Sequence, residues 1–345
     1  MLWSSTALGE AIDFTLSNQI RNCTIRVHLR LISSSGLHGA PVLAQSGGVK
    51  LRAPAKINLS LSILGKRPDG FHELESLMVP LTLADSLTID QIDPAAPFEG
   101  SSEVEAASCR SPGSANRIAF TCSDTTLPCD DSNLVVRAAR RFFETSGASG
   151  AVRIHLQKAV PHGAGLGGGS SDAASTLLGL NAMFGASLST QTLHDLAAEL
   201  GSDVPFFLAQ SAAICRGRGE IVEAVPFPQA LPLLLVKPAF GVPTPWAYSR
   251  WRDSQEIPNI SYAAQEFAWG RLYNDLERPV FEKYLFLALL KRWLQQQPEA
   301  AGALMSGSGS TCFAVLRDVA DGPALEARAK TEFGDIWTCL CSTAG

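Results

Sequence analysis

Five glycines within seven residues, in the run Pro161-His-Gly-Ala-Gly-Leu-Gly-Gly-Gly-Ser-Ser171, constrain this chain more than any other feature. Ahead of the run, Val152, Ile154 and Leu156 alternate as a strand does, and behind it Ala173, Ala174, Leu177, Leu178 and Asn181 recur at helical spacing up to Gly185. A strand that passes through side-chain-free backbone into a helix start presents unpaired N–H groups at the positive end of a helix dipole. Phosphate is the ligand that suits such a turn. The plainer alternatives are a flexible linker or a tight packing turn, and the regular elements on both sides count against them.

Two better-known phosphate loops compete. A Walker A loop counted from Gly163 requires lysine where Gly169 stands, so that reading fails. A dinucleotide fingerprint is matched formally by Gly163, Gly165 and Gly168. It also requires a second strand ending in an acid about 20 residues on, and here that stretch reads as one helix and its end. A nicotinamide enzyme therefore stays open as a weaker alternative.

The chain has 345 residues, 46% of them hydrophobic, which allows about two domains. A net charge of -5 gives no general basic field, so nucleic acid is not an expected partner, and anionic ligands must be met locally. Charges interrupt every apolar run before the ~18 residues of a membrane span. The eight cysteines, Cys23, Cys109, Cys122, Cys129, Cys215, Cys312, Cys339 and Cys341, show neither Cys-x-x-Cys nor zinc-finger spacing. They read as reduced thiols of a cytoplasmic type of compartment. From Phe14 to Pro68 there is no acidic residue, while Arg21, Arg26, Arg30 and Ser33 to Ser35 resemble a transit peptide. Residues 1–48 are accordingly expected to be a loosely ordered extension, a start placed too far upstream, or a leader for organellar import.

Ile57, Leu59, Leu61 and Ile63 alternate with Asn58, Ser60 and Ser62, which predicts a half-buried strand before the turn Gly65 to Gly70. Leu87 and Ile89 continue strand character. Pro94 to Asp131 is weakly patterned and reads as surface loops or a short hairpin. Ser132 or Asn133 is placed to cap a helix with Val135, Ala138, Ala139 and Phe142 on its apolar face. Leu193, Leu196, Ala197 and Leu200 predict another helix, Leu231 to Val236 a buried strand, Phe281 to Leu294 a helix, and Cys312 to Leu316 a strand. The alternation of strands and helices suggests an α+β fold with two lobes.

Phosphoryl transfer to a hydroxyl needs a positioned acceptor, a carboxylate for its proton and cations for the developing charge. Lys56, in Pro54-Ala-Lys-Ile-Asn58, stands at the mouth of the alternating strand, and Asp203, in Gly201-Ser-Asp-Val-Pro205, stands where a helix stops. Read singly, Lys56 is a surface strand lysine and Asp203 a turn or capping aspartate. Spacing alone does not bring them together.

Five motifs in order do more: Pro54-Ala-Lys-Ile-Asn-Leu59, Asp69-Gly-Phe-His-Glu-Leu74, the glycine run, Gly201-Ser-Asp-Val-Pro-Phe-Phe207 and Ser306-Gly-Ser-Gly-Ser-Thr-Cys312. Together with Ser132-Asn-Leu-Val-Val-Arg-Ala-Ala139, Pro243-Thr-Pro-Trp-Ala-Tyr248 and Asn274-Asp-Leu-Glu277, this pattern resembles the GHMP kinases, within them the branch acting on a cytidine-bearing erythritol. The resemblance implies a two-lobed α+β fold with the active site in the cleft between lobes, an ATP-binding part over 49–225 and a second part over 226–345. It implies ATP as co-substrate, with Mg2+ carried in by its phosphates, no protein metal cage, and a monomer or homodimer as the working unit. It makes Asp203 the base for the acceptor hydroxyl and Lys56 the cation at the transferring phosphoryl. The phosphate loop would be Pro161, His162, Gly163, Ala164, Gly165, Leu166, Gly167, Gly168, Gly169, Ser170 and Ser171. His162 stands at a variable position and receives no role of its own. Asn58 would orient substrate, Phe71 and Tyr248 would stack on cytosine, and His72 would hydrogen-bond it. Phe71 replaces a more usual tyrosine, keeping the stacking face and losing a hydroxyl. Without the resemblance, His72 is an ordinary histidine and Phe71 a core aromatic. Sister reactions on homoserine or mevalonate, and a non-catalytic nucleotide-binding relative, are the alternatives.

Overall fold

The structure, a computed structural model, describes residues 42–43, 48–93, 107–109, 117–185 and 188–344. Most of the extension expected over residues 1–48, namely 1–41 and 44–47, lies outside the described residues. The first half runs β1 (Val42–Leu43), β2 (Val49–Lys66), β3 (His72–Ile92), β4 (Ala107–Cys109), β5 (Arg117–Cys122), α1 (Leu134–Ser146), β6 (Ala151–Gln157), α2 (Gly168–Met183), α3 (Thr190–Leu200), α4 (Val204–Ala209), β7 (Ala213–Gly217) and β8 (Ile221–Ala224). The second runs β9 (Pro232–Pro238), α5 (Thr244–Arg250), β10 (Gln265–Phe267), β11 (Gly270–Asn274), α6 (Glu277–Lys283), α7 (Leu285–Gln295), β12 (Ala300–Met305), β13 (Cys312–Leu316), α8 (Gly322–Phe333) and β14 (Ile336–Ser342).

The spine is the antiparallel pair β2 and β3. β3 is long enough to take two partners on one edge: Leu74 to Met78 pair with β7, and Ser86 to Ile92 with β6. The larger sheet follows the order β10-β11-β2-β3-β6-β5-β4, and the smaller one β12-β13-β9-β14. Ala55, Ile57, Leu59, Val79 and Leu81 of the first sheet share a core with Leu233, Leu235, Phe313 and Val315 of the second. Helices α1 to α4 bury their apolar residues against β3, β5 and β6, while α6 and α7 pack on the smaller sheet. This is the mixed architecture expected from the sequence. Among the described residues no helix is long and apolar enough to cross a membrane. Cys122, Cys129, Cys215, Cys312, Cys339 and Cys341 are free thiols.

Three expectations change. The strand at Ile57 is buried on both faces, because Lys56 and Asn58 on its polar side are only 3% and 1% exposed. Irregular pairing between Pro54 and Lys56 and again between Asn58 and Ser60 re-aims these two side chains at a site. The weakly patterned stretch does hold the antiparallel pair expected as its short-hairpin option, β4 with β5, but β5 is a core strand and not a surface one: it buries Ile118, Phe120 and Cys122 and pairs in parallel with β6. The single helix expected over Phe281 to Leu294 is two, broken where Tyr284 leaves helical geometry and stacks on Phe240 at 5.4 Å. Asn133, one of the two expected caps, does accept a hydrogen bond from Val135 N–H at the start of α1.

Candidate active site

The loop after β6 enters α2 at Gly168, so the first helical turn lies within the glycine run. Gly165 has φ +74°, and a Cβ there would lie 2.4 Å from the Ser306 carbonyl oxygen and 2.8 Å from that of Gly309. Two glycine loops from distant parts of the chain therefore touch backbone to backbone. Lys56 N–H donates to the Leu166 carbonyl at 2.9 Å, Thr311 N–H to Ala164 at 3.1 Å, and Ser306 Oγ to Gly165 at 3.0 Å. Asn274 Nδ2 holds the second loop, donating to the carbonyls of Met305 and Gly307. The first loop borders a cavity of about 340 Å³ lined by every residue from Pro161 to Ser170. Ser171 departs from the expectation: its side chain is fully buried, and its N–H is spent on the Gly167 carbonyl as the helix closes. The loop's side chains at the cavity thus end at Ser170. Replacing Gly165 with alanine is expected to abolish the thermal shift given by ATP, since the new methyl group must part the two loops; a normal ATP shift in that variant would contradict this packing.

Behind the loop lies a charged cluster that spacing did not reveal. Lys158 Nζ meets Asp85 Oδ2 at 2.5 Å and Asp172 Oδ2 at 2.9 Å, and all three side chains are almost wholly enclosed. Asp85 Oδ1 also accepts the N–H groups of Ala159 and Val160. Asp85 so fixes the chain entering the loop, and the Lys158 to Asp172 bridge ties the entry to the helix that leaves it. Burial, with the Asp85 charge adding to it against the pull of Lys158, pushes the Asp172 carboxyl up to about 7.

At the floor of the cavity, Lys56 Nζ lies 3.6 Å from Asp203 Oδ2 and donates to Asn58 Oδ1 at 2.7 Å and to the Gly165 carbonyl at 3.1 Å. Lys56 is thus not a surface lysine. Asp203 occupies the N-cap position of α4 without making a side-chain capping bond, and its side chain is 36% exposed. Its carboxylate faces the cavity and Lys56 instead of its own helix. Asn58 is tied to protein at both ends, since its Nδ2 donates to Ser76 Oγ at 2.7 Å. It holds Lys56 and also lines the cavity, where the substrate contact expected of it would be made. Cys215 nearby has its thiol pushed up to about 12 by burial and the Asp203 charge, which keeps it from acting as a thiolate.

A second cavity, of about 380 Å³, adjoins the first and shares Leu74, Asp203, Thr244 and Tyr248 with it. Phe71 and His72 line this second space together with Lys66 and Arg218. Phe71 is 49% exposed, so it is no core aromatic. His72 packs 5.5 Å from the Tyr248 ring and edge-on to Trp251 at 6.1 Å. Burial, followed by Lys66 and Arg252, holds the imidazole below its usual range, leaving a neutral ring that can donate from one nitrogen and accept at the other. Burial raises the Tyr248 phenol well above its usual range. The expected site residues thus gather around two joined cavities, with Asp203 at their junction.

Residues 133–211 match the profile of the GHMP kinases N terminal domain, and residues 258–335 that of the GHMP kinases C terminal domain. The chain is 40% identical over 279 residues to 4-diphosphocytidyl-2-C-methyl-D-erythritol kinase of Methylacidiphilum infernorum, covering 79% of this chain and 88% of that protein. The chain is a GHMP kinase. Over 325 residues it is also 37% identical to the 4-diphosphocytidyl-2-C-methyl-D-erythritol kinase of a Synechococcus strain, covering 86% of this chain and 98% of the relative. A crystal structure of 4-(cytidine 5'-diphospho)-2C-methyl-D-erythritol kinase superposes with TM-score 0.65 at 34% identity, covering 86% of this chain and all of that one. A homoserine kinase from Cytophaga hutchinsonii, 19% identical with TM-score 0.55 over 87% of this chain and 96% of its own, shares the fold. As a GHMP kinase the chain is an ATP-dependent small-molecule kinase, and the dinucleotide reading falls. Its topology agrees, since α2 leads to α3 and α4 with no strand directly after it.

Sequence reasoning missed Arg218 and the Lys158 cluster. A signal existed for each: Arg218 is flanked by glycines in Arg216-Gly-Arg-Gly-Glu220, a turn signature, and Lys158 and Asp172 bracket the glycine run.

Proposed function

We propose that this GHMP kinase transfers the γ-phosphoryl group of ATP to the C2 hydroxyl of 4-diphosphocytidyl-2-C-methyl-D-erythritol (CDP-methylerythritol), a step of the non-mevalonate route to isoprenoid precursors. The observation that carries the reading is the position of Asp203 and Lys56 where a glycine-lined cavity meets an aromatic one. ATP phosphates lie against Gly163 to Ser170, and the cytidine end of the acceptor lies against Phe71, His72 and Tyr248. Asp203 takes the proton of the hydroxyl as its oxygen bonds to the γ-phosphorus and the bond to the β-phosphate oxygen breaks, releasing ADP. Lys56, locked by Asn58 and the Gly165 carbonyl, stabilises the charge spread over the phosphoryl oxygens. Magnesium enters with ATP. It would be held chiefly by the nucleotide's phosphate oxygens, as suits an ion that dehydrates reluctantly.

The aromatic cavity separates this acceptor from those of sister enzymes, because homoserine and mevalonate bring no base to stack. A coupled ADP assay is expected to show turnover with CDP-methylerythritol and none above background with homoserine or mevalonate. Equal turnover of the three would refute the choice of acceptor.

A further inference from the structure

The turn joining β7 to β8, Arg216-Gly-Arg-Gly-Glu220, is folded against the reacting end of the site. Gly217 and Gly219 have φ +73° and +120°, and a Cβ on Gly219 would stand 3.3 Å from the Ser202 carbonyl oxygen and 3.7 Å from Asp203 Oδ1. The positive φ and the tight approach to the Ser202 carbonyl suit glycine there and set the turn against the Ser202–Asp203 backbone. Its other side is pinned as well: His194 Nε2 lies 3.1 Å from the Glu220 carbonyl oxygen, and Arg218 N–H donates to Glu220 Oε2 at 2.6 Å. Arg218, at the tip, is therefore carried on a fixed support.

Its side chain reaches away from Asp203 toward the aromatic end. The guanidinium lies 4.8 Å from the centre of the Phe71 ring, and its Nε faces Glu220 Oε1 at 3.5 Å. Phe71 is held in turn by a tight bend, with Phe71 N–H donating to Asp69 Oδ1 and Arg67 N–H to the Phe71 carbonyl. Arg218 thus lines the second cavity at its aromatic end, on a turn whose next residue, Gly219, packs against Asp203. A nucleotide-linked polyol has its parts in the same order: base, ribose, diphosphate, then the hydroxyl that reacts. Its diphosphate needs cations, and the glycine loop is taken by ATP. Lys66 and Arg218 are the two cationic side chains lining this cavity, and Lys66 is an exposed residue at the end of β2. A planar guanidinium can also stack on an aromatic face while offering paired N–H groups to phosphate oxygens, which an ammonium cannot do.

We infer that Arg218 is a specificity-determining residue of the acceptor site, binding the diphosphate of a nucleotide-linked polyol while its guanidinium stacks on Phe71. The inference rests on the acceptor reading given above. The test compares the unsubstituted enzyme with Arg218→Ala and Arg218→Lys, measuring kcat, the KM of CDP-methylerythritol, the KM of ATP, and inhibition by CDP and by cytidine. Arg218→Ala is expected to raise the acceptor KM about 10- to 100-fold, the loss of a charge-assisted contact, with the KM of ATP within about twofold and an unchanged melting temperature. Inhibition by CDP is expected to weaken in parallel while that by cytidine is kept, and Arg218→Lys to recover part of the loss. An acceptor KM unchanged in Arg218→Ala overturns the proposal, and so does an equal rise in the KM of ATP. Equal weakening of CDP and cytidine also overturns it, because Arg218 would then only hold Phe71. If the unsubstituted enzyme neither turns over CDP-methylerythritol nor is inhibited by CDP, the acceptor reading itself fails and this proposal fails with it.

Discussion

Asp203→Asn is expected to lower kcat by roughly 10²- to 10⁴-fold, the usual worth of a positioned general base, while leaving ATP binding intact. The expectation follows from where the carboxylate stands. It makes no capping bond to α4, so the helix loses little when the charge goes. It does not line the loop by hydrogen bonding to it, so phosphate binding by the glycine backbone continues. What is lost is the group placed 3.6 Å from Lys56 at the junction of the two cavities. Measured by single-turnover kinetics beside an ATP titration, the variant should bind nucleotide and fail to transfer. A variant with unaltered kcat would show that the proton leaves by another route.

The second large effect is on folding. Lys158→Met is expected to cost about 3–5 kcal/mol, read as a lower urea midpoint, because it strands two enclosed carboxylates beside each other. Asp85 keeps its bonds to the Ala159 and Val160 N–H groups, so Asp172, whose Oδ1 has no hydrogen-bond partner, bears most of the loss. The same cluster gives a pH signature. A carboxyl raised to about 7 in the folded protein binds protons that the unfolded chain releases near ~3.9, so its burden on stability is absent below that value and complete above neutrality. Asp172→Asn should therefore stabilise the protein at pH 8, with the gain fading as pH falls toward 4. A Lys158→Met variant as stable as the parent would mean that the cluster does not clasp the loop.

The sequence made the elements legible where periodicity or chemistry is local. The strand at Ile57, the cap at Asn133 and the passage of the glycine run into a helix each signal their structure through near neighbours and are found in place, although the strand's polar side is buried and not exposed. What escaped depends on partners far along the chain. β5 hid in a weakly patterned stretch because only its pairing with β6 makes Ile118 and Phe120 core residues. The break at Tyr284 escaped because the apolar spacing continues through it and only stacking on Phe240 gives it away. Asn58 lines the cavity as expected, but its bonds to Lys56 and Ser76 add a supporting role that spacing did not signal. Lys56 and Asp203, 147 positions apart in the chain, came together in expectation through the family pattern and not through spacing. Arg218 and the Lys158 cluster had local turn or bracket signals, but nothing local says which aromatic ring or which aspartate they meet.

The most direct test of the central claim is phosphorus NMR of the protein incubated with ATP, Mg2+ and CDP-methylerythritol. The account predicts one new phosphomonoester resonance appearing in step with ADP, the cytidine diphosphate resonances being retained, and neither change with Asp203→Asn. ADP formed without that resonance, or the resonance formed equally by the Asp203→Asn variant, would contradict it.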